Sequence, residues 1–337
     1  KKKKKSVNYN IGIGYKTLLE VLTSNNVAIG HQAAMNASSG SNNTFIGYES
    51  GKGGTTSAPY SSGGSNTAVG ANALAGFTTG QYNTTIGKDA GKAITTANYN
   101  TFVGAWAGDA VTTGGYNTVL GFQAFSDATS ESSHTVAIGY QAGKAITSGD
   151  SNVLIGAGTG DALTTGFKNV AIGPAALGSD DVGAGHIAIG GNALVTQNFA
   201  SENNEFEANI SIGNKSSHNN TTGNMNVVIG TAAKYTDDEG NQTTAIGHQA
   251  MYSQNMASSV TTANVGVGHK VGYYNVTGTN NTWLGYQAGA GASGQSNSAN
   301  TGVGYNALTS ITTGTQNTII GSYAGDAITS GNYNTAI

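Results

Sequence analysis

Eighteen glycines divide this chain at near-constant intervals, and each closes the same short pattern. They are Gly14, Gly30, Gly47, Gly70, Gly87, Gly104, Gly121, Gly139, Gly156, Gly173, Gly190, Gly213, Gly230, Gly247, Gly268, Gly285, Gly304 and Gly321. Eleven of the seventeen intervals are 17 residues long, and the others run from 16 to 23. A fixed period with occasional insertions is the signature of a solenoid. A strand–helix–strand unit does not fit, because the crossover alone needs about a dozen residues. The period therefore predicts an all-β, parallel β-solenoid of 17-residue coils, 18 in number.

One copy, Asn100-Thr101-Phe102-Val103-Gly104, shows what each coil contains. The residue before the glycine is always Val, Ile or Leu, and the residue three before it is always Val, Ile or Thr. Alternating aliphatic and β-branched residues predict a short strand with that face turned into a dry interior. The residue two before the glycine (Phe45, Phe102, Leu154, Trp283, Ile319, otherwise mainly small) would then point outward. Four before the glycine stands Asn in 15 of 18 copies, with Thr135, His186 and Thr243 as exceptions. Stacked amides hydrogen-bond along a column, so Asn83, Asn100, Asn117, Asn152 and Asn169 are expected to form a ladder. Gly87, Gly104, Gly121, Gly156 and Gly173 would supply a corner that a side chain forbids. A weaker motif, Ala-Gly-Lys92-Ala-Ile-Thr and its relatives at Asp109, Lys144, Asp161 and Asp326, reads as the return strand. Tyr15 to Leu22 is the one stretch with the character of a helical turn, and reads more simply as the apolar return strand of the first coil. Lys92 and Asp109 lie one period apart, as do Lys144 and Asp161, so each pair is expected to bridge adjacent rungs.

Composition excludes several classes. There are 52 Gly, 2 Pro and only 9% charged residues, which is neither an ordinary α/β enzyme nor a Pro-rich tail. The net charge of −3 offers no basic field for nucleic acid. No cysteine is present, so disulfides and thiolate metal sites are excluded. No apolar run is long enough to span a membrane as a helix.

Organisation follows from the intervals. Residues 1–5 are a poly-Lys lead, and 6–337 read as one solenoid domain cut from a longer array. Insertions fall near 51–65, 196–208, 252–262 and 293–299. Their aromatic residues Tyr60, Phe199, Phe206 and Tyr252 are candidates for receptor contact.

Catalytic chemistry is sparse. His31, His248 and His269 follow repeat glycines, in a column otherwise holding Tyr15, Tyr48, Phe122, Tyr140, Tyr286 and Tyr305, so they read as stacked rings rather than metal ligands. The Gly156-Ala-Gly158-Thr-Gly160 run has no helix N-terminus to make it a phosphate site. The carboxylate pairs Asp180-Asp181 and Asp237-Asp238 fall in predicted turns. The sequons at Asn83, Asn220 and Asn275 arise naturally in an Asn/Thr-rich repeat. No catalytic residue, cofactor or metal is expected.

Copies such as Asn26-Val27-Ala-Ile29-Gly30, Asn169-Val170-Ala-Ile172-Gly173 and His134-Thr-Val136-Ala-Ile138-Gly139 resemble the head repeats of trimeric autotransporter adhesins of the YadA-like type. The longer form Asn317-Thr318-Ile-Ile320-Gly321-Ser-Tyr-Ala-Gly-Asp-Ala-Ile-Thr resembles repeats of bacteriophage tail fibres that end in an endosialidase-type chaperone domain. The resemblance covers essentially residues 6–337. It implies a left-handed parallel β-roll, three chains packed about one axis, an extracellular setting on a virion or a bacterial surface, and attachment to a cell-surface receptor, with glycans among the candidate classes. The period is longer than in the adhesins, and no neck, stalk or anchor is present in this segment. A structural and adhesive tail-fibre segment is the expected function. A bacterial adhesin or extracellular filament is the alternative, and a polysaccharide-degrading tailspike the third reading.

Overall fold

The computed structural model describes residues 9–54, 61–127, 131–199, 208–256 and 258–337. The chain divides into two compact units between Phe167 and Lys168. The first holds β1 (Ile11–Ile13), β2 (Val27–Ile29), β3 (Thr44–Ile46), β4 (Thr67–Val69), β5 (Thr84–Ile86), β6 (Thr101–Val103), β7 (Thr118–Leu120), β8 (Val136–Ile138) and β9 (Val153–Ile155). The second holds β10 (Val170–Ile172), β11 (Ile187–Ile189), β12 (Ile210–Ile212), β13 (Val227–Ile229), β14 (Thr244–Ile246), β15 (Val265–Val267), β16 (Thr282–Leu284), β17 (Thr301–Val303), β18 (Thr318–Ile320) and β19 (Thr335–Ala336). There is no helix among the described residues.

Within each unit every strand lies parallel to the next with equivalent repeat positions side by side. Thr101 sits beside Thr118, Phe102 beside Val119 and Val103 beside Leu120. In the second unit Val227, Val228 and Ile229 match Thr244, Ala245 and Ile246 in the same way. The solenoid expected from the period is therefore formed, with one strand per coil.

The interior is the reverse of the sequence expectation. The middle residue of each strand is buried from β2 to β18, and its two neighbours are half-buried or exposed. Phe45, Phe102, Leu154 and Ile319 are fully buried and Trp283 is 1% exposed, whereas Ile86, Leu120 and Leu284 are 40%, 47% and 48% exposed. In a three-residue strand the two flanking side chains share one face and the middle one takes the other; here the middle residue faces the interior, so the uniform aliphatic columns on its flanks face out. Their uniformity reflects the preference of β-branched residues for a pleated surface, not burial. The positional difference predicts unequal costs. Phe102→Ala should destabilise by about 3–5 kcal/mol, and Val103→Ala by less than about 1 kcal/mol. Urea unfolding of the two variants checks the order; the opposite order would restore the original assignment.

The expected return strand is also absent. Residues after the glycine form turns, because the second and fourth positions past it take left-handed backbone angles: φ is +56° at Asn72 and +52° at Leu74, +53° at Gln123 and +58° at Phe125. Tyr15 to Leu22 is the first such turn, with φ +54° at Lys16 and +51° at Leu18. The N–H groups of the two left-handed residues reach opposite neighbours, while the N–H between them closes the turn of its own coil. Asn72 N–H donates back to the Tyr48 carbonyl at 2.8 Å, and Leu74 N–H donates forward to Ala90 at 3.0 Å. Inter-rung bonding thus continues without a second strand.

The fourth residue of the turn faces the middle strand residue of its own coil, and in many coils their sizes compensate. Ala68 is matched by Leu74, Ala171 by Leu177, Ala188 by Leu194 and Val119 by Phe125, all buried. Where the strand residue is large the turn residue is glycine. A Cβ on Gly51 would lie 2.3 Å from the Phe45 ring, one on Gly108 2.5 Å from Phe102, and one on Gly289 2.3 Å from Trp283. Stacked neighbours compensate too: Trp283 sits in register between Gly266 and Gly302.

Candidate functional site

The Asn column forms a sealed ladder. Asn83 N–H donates to Asn66 Oδ1 at 2.9 Å, Asn100 N–H to Asn83 Oδ1 at 3.1 Å, and Asn117 N–H to Asn100 Oδ1 at 2.9 Å. Each amide nitrogen closes the loop of the following coil: Asn83 Nδ2 donates to the Ala97 carbonyl at 2.8 Å and Asn100 Nδ2 to Gly114 at 3.0 Å. Asn152 reaches the Gly166 carbonyl and Asn169 that of Gly183, both at 2.8 Å. These buried amides are tolerated because they are partnered. His186 replaces Asn in the same role: its N–H donates to Asn169 Oδ1 at 2.8 Å, and its Nδ1 accepts the Asn209 N–H at 3.0 Å. Asn83, Asn220 and Asn275 are at most 4% exposed, so the three sequons are closed to modification in the folded chain.

The repeat glycines stack as closely as backbone allows. φ is +137° at Gly87, +138° at Gly104, +144° at Gly121, +142° at Gly156 and +126° at Gly173. The Lys/Asp pairs, in contrast, form differently from the expectation. Lys92 Nζ lies 3.5 Å from Asp89 of its own coil, and Lys144 Nζ lies 3.0 Å from Asp127. Neither Lys92–Asp109 nor Lys144–Asp161 is an ion pair among the described residues. Asp109 and Asp161 both lie half-buried in the turn, and burial pushes the Asp109 carboxyl up to about 6.

A feature that motif reading missed lies nine residues past each middle strand residue. In the first unit this column is apolar: Phe77, Ile94, Val111, Ile146 and Leu163 are buried there. In the second it begins polar, with Asp180, Gln197, Asn220, Asp237, Gln254 and Asn275 all at most 4% exposed, before returning to Ile311. The polar column is cross-linked to the Asn ladder: Asn209 Nδ2 donates to Gln197 Oε1 at 3.0 Å, and Asn264 Nδ2 to Gln254 Oε1 at 3.2 Å. Lys234 and Asp237, both fully buried, pair within it at 3.0 Å. The sequence signal was the constant offset of nine, visible only once the inward strand position is known.

Asp180 and His186 meet in this column with Oδ2 and Nε2 3.6 Å apart, both fully buried. Neither atom has a hydrogen-bond partner. Burial pushes the Asp180 carboxyl up to about 7 and the His186 imidazole down to about 4. A raised acid stabilises the fold at low pH and loses that contribution as pH rises to its folded value; a lowered base stabilises at high pH and loses it as pH falls. Together the slopes nearly cancel between about pH 4 and 6.5. Single variants should unmask them. Asp180→Asn is expected to lose stability on acidification through this window, and His186→Asn to lose it as pH rises toward 7, each on the order of 3 kcal/mol. Chemical unfolding at several pH values would read both; parallel profiles for the two variants would refute the cancellation.

Rings stack along the coil corners. Tyr15, His31 and Tyr48 stack at 5.3 Å intervals, and His248, His269 and Tyr286 at 5.2 and 5.0 Å. A second column, Tyr82, Tyr99, Tyr116 and His134, lies at 5.0, 4.9 and 5.0 Å. No group of three His, Cys, Asp or Glu suited to a metal occurs among the described residues. Of the receptor candidates, Tyr60 and Phe206 lie outside the described residues. Phe199 is half-buried and stacks on His186 at 5.6 Å, and Tyr252 is half-buried between Tyr235 and Tyr273. The structure does not bring these two together. Comparison with family models, characterised proteins and solved structures returned no match.

Proposed function

We propose that this chain is a segment of a structural and adhesive fibre, three copies of which associate and present their corners and inserted segments to a cell-surface receptor, in a bacteriophage tail fibre or, alternatively, on a bacterial surface. One observation carries the reading. The outward strand face repeats an aliphatic side chain coil after coil, half-buried in most coils and between 37% and 48% exposed at Ile46, Ile86, Leu120, Leu284 and Ile320. Contiguous exposed apolar surface marks an association site. A coil whose interior admits one side chain per strand also buries little area by itself.

Two further observations fit this reading better than hydrolysis of a polysaccharide. Asp180 and Asp237, one member of each carboxylate pair, are sealed from solvent. The Asn ladder and the Gln197, Gln254 and Asp237 groups of the polar interior are hydrogen-bonded into the coils as structure. Adhesion by three identical chains gains strength from multivalency, so each contact can be weak. The test is a charge on the outward face. Leu120→Lys with Leu284→Lys should leave circular dichroism unchanged, convert the assembly to monomers and lower cell attachment by 100-fold or so through lost avidity. An assembly of unchanged mass would remove this face from the account.

A further inference from the structure

Resting on the adhesive reading, we propose that the corner column of Tyr82, Tyr99 and Tyr116 is a rail for an extended, uncharged β-linked polysaccharide of the cellulose or chitin kind, lying along the coil stack.

The three rings stack at 5.0 and 4.9 Å with interplanar angles of 2° and 18°, and each is about half exposed (51%, 49% and 56%). Their faces are occupied by one another, so the column offers solvent a row of ring edges and phenol hydroxyls. Among the described residues no hydrogen bond engages those hydroxyls. Each of these three rungs therefore presents one exposed phenol at the same corner.

Two properties select the occupant. The first is period. Rungs repeat at about 4.8 Å, and a β-linked glycan in its flat, extended form advances by one pyranose ring per residue, close to that spacing. Successive sugars of such a chain alternate in orientation, so every second sugar would present the same edge to a tyrosine of the column, whose rings lie 5.0 and 4.9 Å apart. An extended peptide advances about 3.3 Å per residue and leaves register within a few residues, while an α-linked glucan coils away from a straight row. The second is charge. The segments 81–84, 98–101 and 115–118 contain no Asp, Glu, Lys or Arg, so nothing there compensates an anionic polymer. Tyr supplies an amphipathic edge suited to sugar, with a hydroxyl at its tip.

The experiment is co-sedimentation of the purified protein with insoluble cellulose and chitin, with granular starch as the α-linked control and light scattering on the same samples. Wild type is expected to sediment with at least one β-linked polymer and to leave starch unbound. Tyr82→Ser/Tyr99→Ser/Tyr116→Ser should bind at least tenfold more weakly at unchanged mass. Tyr99→Phe, which keeps the ring stack and removes one hydroxyl, should show a smaller loss with the same circular dichroism. Equal binding by the triple variant, equal binding to starch, or no binding of wild type to cellulose or chitin would overturn the rail. A trimer that ignores both polymers would do so while leaving the fibre reading standing; a monomer that binds them through these tyrosines would do the reverse.

Discussion

Gly104→Ala is expected to cost on the order of 4 kcal/mol or more, a large effect for a single methyl group. The backbone there has φ +138°, and the new Cβ would fall 2.3 Å from the carbonyl oxygen of Gly121 on the next coil. Strain and collision act together, and neither can relax without separating two rungs whose strands are hydrogen-bonded in register. Gly294→Ala is the control. Its φ is +74° and nothing lies within 4 Å of the added methyl, so only the left-handed penalty of about 1–2 kcal/mol applies. Urea unfolding followed by circular dichroism compares the pair. Similar midpoints would mean that the glycine column serves conformation alone and not close stacking.

Lys234→Met is expected to cost about 3–5 kcal/mol, because it leaves a buried carboxylate without its counter-charge. Lys234 Nζ donates to Asp237 Oδ2 at 3.0 Å, to the Gly240 carbonyl at 3.1 Å and to Asn220 Oδ1 at 3.3 Å. Asp237 also accepts from Gln254 Nε2 at 2.6 Å and from the N–H groups of Met256 and Gly240 at 3.1 and 3.2 Å. Burial by itself would raise the Asp237 carboxyl, but the Lys234 charge and these hydrogen bonds outweigh it and hold the group below its ordinary value. A lowered acid contributes stability above the ordinary carboxylate range and loses it as pH falls. Removing Lys234 leaves burial less opposed, so the acid-side loss should shrink or reverse in the variant. Replacing both partners, as in Lys234→Met/Asp237→Leu, should recover much of the loss. Additive penalties in that double variant would show that the two groups act independently.

The stacking period, the strands and the ladder were legible because they repeat at fixed sequence offsets. Asn83, Asn100 and Asn117 are one period apart and bond as that spacing requires. Which face is inside was not legible. Thr101 and Val103 carry the strongest β-forming pattern, and the buried position between them varies from Gly to Trp because its volume is set jointly with a turn residue six positions later. The return segment was misread as a strand for a related reason. Gln123 and Phe125 are ordinary residues, and nothing in their identity announces left-handed φ; that conformation comes from the inter-rung hydrogen bonds they make. Asp237 looked like a turn acid because it begins Asp237-Asp238-Glu239, and its Lys234 partner three residues earlier is a spacing usually found on surfaces. Lys92 and Asp109 share a period, yet Asp89, three residues from Lys92, is the nearer carboxylate.

The central functional claim is that an apolar face left open by each chain is covered by other copies of it. Light scattering on the purified protein tests this most directly. The account predicts a single species near three times 33.8 kDa, unchanged on dilution through the micromolar range. A well-folded monomer at the same concentrations would contradict it.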